Sequence, residues 1–296
     1  MLSVALSTPA HFRFWPTVVS HGWCDLPPYA CDEQTRVLYR IQQLSNGSVV
    51  RLGIREERSG KIVIDVEGMD ALSSGHEHEI RAVVAHVLGI ERDMSNLYEM
   101  LRVHPRYAWI EALGAGRLLA SPTLWEDAVK TLFTTNTVWK MTIQMCERFN
   151  TLGEPYPGGG HAFPTPERVA ALSFDDLHAH VRAGYRDAYL YELACRVAEG
   201  EIEIESWRSL PSDALYKRIT GLKGFGDYAA GNMLKLLGHY DRLATDTVCR
   251  DVYKNQINNG IPAVNDTEIA AYYERFGHWR GLVQWMDVIE TSLRGV

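Results

Sequence analysis

No part of this sequence carries an unbroken apolar run long enough to span a membrane, so a helical anchor is not expected. The opening residues MLSVALSTPAHFRF lack a basic start and a small-residue cleavage pattern, which removes the secretory reading. A cytoplasmic location is the expectation that remains. Cysteine is sparse. Five are present (Cys24, Cys31, Cys146, Cys195 and Cys249), spaced too irregularly for a zinc ribbon or an iron–sulfur motif. Cys24 and Cys31 are near enough to pair, but in a cytosolic chain such thiols are more often reduced. Positive charge is also in deficit. A formal charge of −7 argues against a protein that coats nucleic acid indiscriminately.

What is present describes a folded chain: 296 residues, 46% hydrophobic and 23% charged, enough for one large domain or two ordinary ones. The acidic surplus is uneven. From Lys217 to Lys254, seven Lys and Arg stand against four Asp, so this segment is locally basic.

Short Val- and Ile-rich stretches dominate the first seventy residues: TRVLYRIQQL, GSVVRLGIREE and KIVIDVEG. The breaks Asn46-Gly47 and Ser59-Gly60 carry hairpin chemistry, which predicts a small antiparallel sheet over residues 1–75. The preceding VVSHGWCDLPPYACDE reads as a strand and a proline-stiffened loop. From residue 76 the apolar spacing becomes helical and stays so to residue 296. SPTLWEDAVKTLFTTN predicts a helix capped by Ser121 with Pro122 at its first position. The expected class is α+β, a sheet followed by a mostly helical body.

Within that body, ITGLKGFGDYAAGNMLKLLG (219–238) crowds Gly221, Gly224 and Gly226 into a turn between two helices. Such a turn exposes backbone N–H groups at a helix start and binds a phosphate oxygen without a cationic side chain. A plain helix-to-helix turn explains the glycines equally well when they are taken alone. Beyond it comes RLATDTVCRDVYK, where Asp246, between two threonines, reads as a helix N-cap. That role is compatible with a second one.

Together, LKGFGDYAAGNMLKLLG and LATDTVCRDV resemble the paired motifs of the helix-hairpin-helix, Gly/Pro–Asp (HhH-GPD) DNA glycosylase superfamily. LWEDAVKTLFTTNTVWKMT is similar to the helix that leads into that family's lesion-inserted loop. FGHWRGLVQWMDVI is similar to its closing helix, particularly in the alkylpurine branch. The sheet before the body is similar to the arrangement in alkylpurine and 8-oxoguanine glycosylases.

The resemblance implies an enzyme of base excision that flips a damaged base from duplex DNA and hydrolyses its N-glycosidic bond, with Asp246 catalytic. It implies DNA contacts at Lys223, Gly224, Gly226, Asp227, Thr247 and Arg250, and a gap-filling role for Thr135 or Asn136. It places Tyr228, Trp279 and Trp285 around the base, with Gly22 and Trp23 reaching the pocket from the N-terminal loop. The carbonyls of Thr220, Leu222 and Phe225 match those that hold a structural alkali ion, K+ or Na+. No other cofactor is required, and the four-cysteine cluster of the endonuclease III branch is absent.

One departure matters most. Tyr228 stands where the family's bifunctional members carry a Schiff-base lysine, which predicts hydrolysis without strand cleavage and an alkylated purine as substrate. Lys223 replaces the hairpin's usual proline. A bifunctional lyase, an enzyme for 8-oxoguanine or a modified pyrimidine, and a non-catalytic DNA-binding hairpin are the alternatives. A monomer acting on DNA, nucleoid-associated in a bacterium, completes the expectation.

Overall fold

Alternation along the N-terminal stretches becomes a five-stranded antiparallel sheet in the computed structural model, which describes residues 2–57 and 60–295. The strands are β1 (Leu2–Ser7), β2 (Tyr29–Asp32), β3 (Val37–Gln43), β4 (Val49–Glu57) and β5 (Lys61–Glu67), in the order β1-β5-β4-β3-β2. The register pairs Leu38 with Ile54 and Ile54 with Ile64, so the period of two puts all three into the core. Gly47, at φ +87°, makes the turn between β3 and β4 as its Asn-Gly signature predicts. Of the second turn, Ser59 lies outside the described residues, and Gly60 adopts φ +70°.

β1 has only Val4 fully buried, too weak an alternation to stand out in the sequence. Of the strand and proline-stiffened loop expected in VVSHGWCDLPPYACDE, the strand forms only at the end, as β2. Before it, Phe14–Val18 is a short helix that buries Phe14, Trp15 and Val18, and Gly22–Asp25 is a tight 3-10 turn.

The rest of the chain is helical, and the sheet and helices enclose one continuous core. Helix Leu124–Thr134 runs through its centre with nearly every side chain buried. Its cap is Thr123, whose side chain accepts from the Glu126 N–H, and not Ser121. The Ser121 N–H is drawn instead to the Asp127 carboxylate, so the helix starts two residues later than its proline suggests. Central helix and sheet are joined by ions: Arg40 of β3 makes two bonds to Glu126, at 2.9 and 2.7 Å, and Lys130 reaches the same carboxylate at 2.8 Å. No helix among the described residues is long and apolar enough to cross a membrane.

Candidate active site

Helices Ser212–Thr220 and Asp227–Leu236 are joined by the glycine turn. Gly224 is the position the backbone demands. Its φ is +87°, and a Cβ there would stand 2.7 Å from the Tyr189 ring and 2.8 Å from a Leu132 methyl. Gly226 is different. Its φ of −90° suits any residue, and a Cβ would meet no atom of the protein within 4 Å, so no contact within the chain requires glycine there. The N–H groups of Gly224, Gly226 and Asp227 engage no backbone acceptor among the described residues, leaving open donors at the positive end of a 10-residue helix. The carbonyls of Thr220 and Phe225 likewise accept no backbone hydrogen bond, and that of Leu222 accepts one, from Phe225 at 3.2 Å.

Asp246 is brought to this helix pair by close backbone packing. A Cβ on Gly231 would lie 2.7 Å from the Leu243 carbonyl, so only glycine lets the approach segment lie against the second helix. From the other side, the buried Gln284 amide accepts from the Ala244 N–H at 3.0 Å and donates to the Thr245 hydroxyl at 3.0 Å. The carboxylate of Asp246 caps helix Thr247–Val252, accepting from the Cys249 N–H at 2.8 Å through Oδ1. Among the described residues only Oδ1 makes a hydrogen bond of ordinary geometry; the Tyr228 phenol and the Cys249 thiol lie near the carboxylate, and the residue is half-buried. Capping therefore uses one oxygen and leaves the other free.

That acid opens onto a cavity of about 320 Å³. Gly22, Trp23, Tyr228 and Trp285 line it with Asp246, although they come from four separate parts of the chain. Burial, with the Asp246 charge beside it, pushes the Tyr228 phenol up to about 12. The Trp23 indole donates to Asp127 at 2.9 Å and that of Trp285 to the Ser20 carbonyl at 2.9 Å, so both rings are fixed. Gly22 is explained by a ring from elsewhere: a Cβ on it would lie 2.2 Å from Trp139.

Other expected residues fall outside. Trp279 is not in the cavity; it stacks on Tyr240, with ring centroids 5.1 Å apart. Closing helix Arg280–Arg294 begins only after it, and six residues separate it from Trp285, a spacing that puts the two rings on different faces. Thr135 is buried, with its hydroxyl turned back to the Leu132 carbonyl at 2.8 Å, and does not project from the loop. Asn136 is exposed at that tip in the left-handed region, φ +46°. Lys223 and Arg250 are exposed but already paired, to Glu192 at 2.6 Å and to Asp266 by two bonds of 2.8 Å. Asp227 accepts from the Tyr216 hydroxyl at 2.5 Å, and Thr247 is exposed beside Asp246.

Several lining residues have no local sequence signal: His21, Thr131, Trp139, Asn232 and Lys235. Burial lowers His21 to about 4, and its Nε2–H donates to the Leu119 carbonyl at 2.5 Å, which makes the ring neutral with Nδ1 unprotonated. Around Asn136 the surface is unusually apolar, with Val138, Trp139, Met141 and Tyr185 all exposed.

No protein-family model matches the sequence, and no curated protein matches it. Solved structures do. Over 99% of this chain and 96% of the other, the fold superposes on MBOgg1 in complex with a low-affinity DNA ligand, with TM-score 0.77 and 20% identity. The 3-methyladenine DNA glycosylase of Archaeoglobus fulgidus gives 0.76 at 18% identity, over 98% and 99% of the two chains. The 8-oxoguanine glycosylase/lyase of Clostridium acetobutylicum gives 0.74 at 19%, over 97% and 95%. This chain therefore has the α+β fold of the helix-hairpin-helix DNA glycosylases along nearly its whole length.

Proposed function

We propose that this chain is a DNA glycosylase that draws a modified base out of duplex DNA and hydrolyses its N-glycosidic bond. The observation that carries the reading is a half-buried Asp246 with one carboxylate oxygen free, at an aromatic cavity beside a glycine turn with unpaired amides. A fold shared with glycosylases that act on 3-methyladenine and 8-oxoguanine supports it.

Each part has a role in that chemistry. The open N–H groups of Gly224, Gly226 and Asp227 take a phosphate oxygen next to the target nucleotide, and the missing side chain of Gly226 lets the backbone approach. Asn136, with the apolar surface of Val138, Trp139 and Tyr185 around it, enters the stack and fills the gap the base leaves. Tyr228, Trp23, Trp139 and Trp285 supply π surfaces for the extruded base. As the bond to the base breaks, positive charge grows on the sugar, and the free oxygen of Asp246 stabilises it and orients the attacking water. A carboxylate suits both tasks. The unengaged carbonyls of Thr220 and Phe225, with that of Leu222, suit an alkali cation that would rigidify the turn.

A phenol forms no imine with C1′, so Tyr228 supports a hydrolytic enzyme without lyase activity. Borohydride added during turnover on a cleavable duplex is the check: free base should appear with no covalent protein–DNA adduct. An adduct would establish the bifunctional alternative, and a protein that binds the duplex but releases no base would establish a non-catalytic one.

A further inference from the structure

Two lysines are almost wholly buried in this chain, and they are treated differently. Lys130 sits in an ion cluster with Glu126 and Arg40. Lys235, 2% exposed, has no carboxylate within 4.0 Å and no hydrogen-bond acceptor on its ammonium among the described residues. A cation with no protein partner, facing only a cavity, is costly for a fold.

The position of Lys235 shows what it faces. Tyr228, Asn232 and Lys235 recur at helical spacing along one face of helix Asp227–Leu236, and all three line the cavity. Tyr228 and Asn232 are half-buried and Lys235 is buried, so the face descends from the mouth beside Asp246 to the floor, about 10 Å over those seven residues. Lys235 and Asp246 are the charged residues of the lining. His21 is neutral, and burial holds the Tyr228 phenol and the Cys249 thiol near it protonated, each pushed up to about 12. The ammonium also lies 5.8 Å from the Trp285 ring. Nearby, the Thr131 hydroxyl is buried without a partner. A cavity floored by a cation and an open hydroxyl is built to read polar edges.

We propose that Lys235 selects the base, as an electrostatic filter that accepts a neutral base offering a carbonyl or ring-nitrogen acceptor and rejects purines carrying the positive charge of N3 or N7 alkylation. This rests on the glycosylase reading and narrows its substrate, replacing the alkylpurine expectation that Tyr228 alone suggested. Burial lowers the ammonium to about 8, so it remains charged at neutral pH, with the Asp246 charge opposing the shift. A cationic base at contact distance is then disfavoured on the order of a hundredfold, while an acceptor gains a charge-assisted hydrogen bond.

The test uses four duplexes, each with a single 7-methylguanine, 8-oxoguanine, hypoxanthine or uracil. Single-turnover release of free base is measured for wild type, Lys235→Met and Lys235→Gln, the second variant guarding against a packing defect in the first. Wild type should release at least one neutral base and handle 7-methylguanine slower by about tenfold or more. Both variants should slow on that neutral base by about tenfold and gain on 7-methylguanine. If wild type releases 7-methylguanine as fast as any neutral base, or both variants keep its preference, the filter is wrong and the glycosylase stands. A borohydride adduct that disappears in Lys235→Met would make this lysine a nucleophile and also overturn the filter. Release of no base from any duplex overturns both readings.

Discussion

Asp246 shows how one residue can hold two roles without conflict: its cap consumes one carboxylate oxygen, and the proposed chemistry would use the other. Lys235 shows the opposite, a residue whose place is unfavourable for the fold. Its ammonium falls from 10.5 to about 8 through burial, a shift that corresponds to about 3 kcal/mol of lost stability at neutral pH. Lys235→Met, of similar volume, should therefore raise stability by roughly that amount while impairing base release. Urea unfolding at pH 7 measures it. The sign with pH is fixed. Between about 8 and 10.5 the unfolded chain holds the proton and the folded chain does not, so wild type gains stability as pH rises through that window. In the variant that gain should be absent. A variant less stable than wild type at pH 7 would mean the ammonium has a partner in solution.

Asp246 and Tyr228 were legible because their signals are contiguous and their offset from the turn is fixed. Lys235 was not. A lone lysine in NMLKLLG reads as the polar break of an amphipathic helix, and only its register with Tyr228 points inward. The intramolecular pairing of Lys223 and Arg250 was equally hidden, because Glu192 lies 31 residues before Lys223 and Asp266 lies 16 after Arg250.

At the scale of elements, the hairpin's glycines separate fold from function. Gly224→Ala places a Cβ against Tyr189 and Leu132 at a φ of +87°, and should cost about 1–3 kcal/mol. Gly226→Ala meets nothing in the protein at an accessible φ, and should leave stability unchanged or raise it by about 0.4–1 kcal/mol. Under the proposed function it should nevertheless weaken duplex binding, since the methyl would stand where the phosphate is proposed to approach. Thermal melting and DNA titration of the two variants decide it; unchanged DNA affinity in Gly226→Ala would detach this turn from DNA. The strands β3 to β5 and most helices were readable from periodicity and turn residues. Elements fixed by distant partners were not, as with β1, which gains its place by pairing with β5, and the helix start that Thr123 caps in place of Ser121.

Across the whole molecule, the sheet is fastened to the helical body by a buried ion cluster. Burial alone would raise Glu126, but the charges of Arg40 and Lys130 outweigh it and hold the carboxyl at about 2. Its folded value is depressed, so its stabilisation is present above its ordinary 4.5 and is lost as pH falls from there toward 2. Arg40→Met, which strands part of that charge, should destabilise the protein by about 3–5 kcal/mol and steepen no acid transition in this range. Circular dichroism across an acid titration distinguishes it from wild type. This joint also matters for function, because the loop between β1 and β2 carries His21, Gly22 and Trp23 to the cavity, while Asp246 comes from the opposite end of the chain. The cavity therefore needs sheet and body held in one arrangement.

The most direct measurement compares wild type with Asp246→Asn on a duplex whose base the wild type removes, following single-turnover release and equilibrium binding together. Binding should survive, because the amide still caps its helix, while release falls by a factor of about 10² to 10⁴. Release at the wild-type rate would contradict the account at its centre.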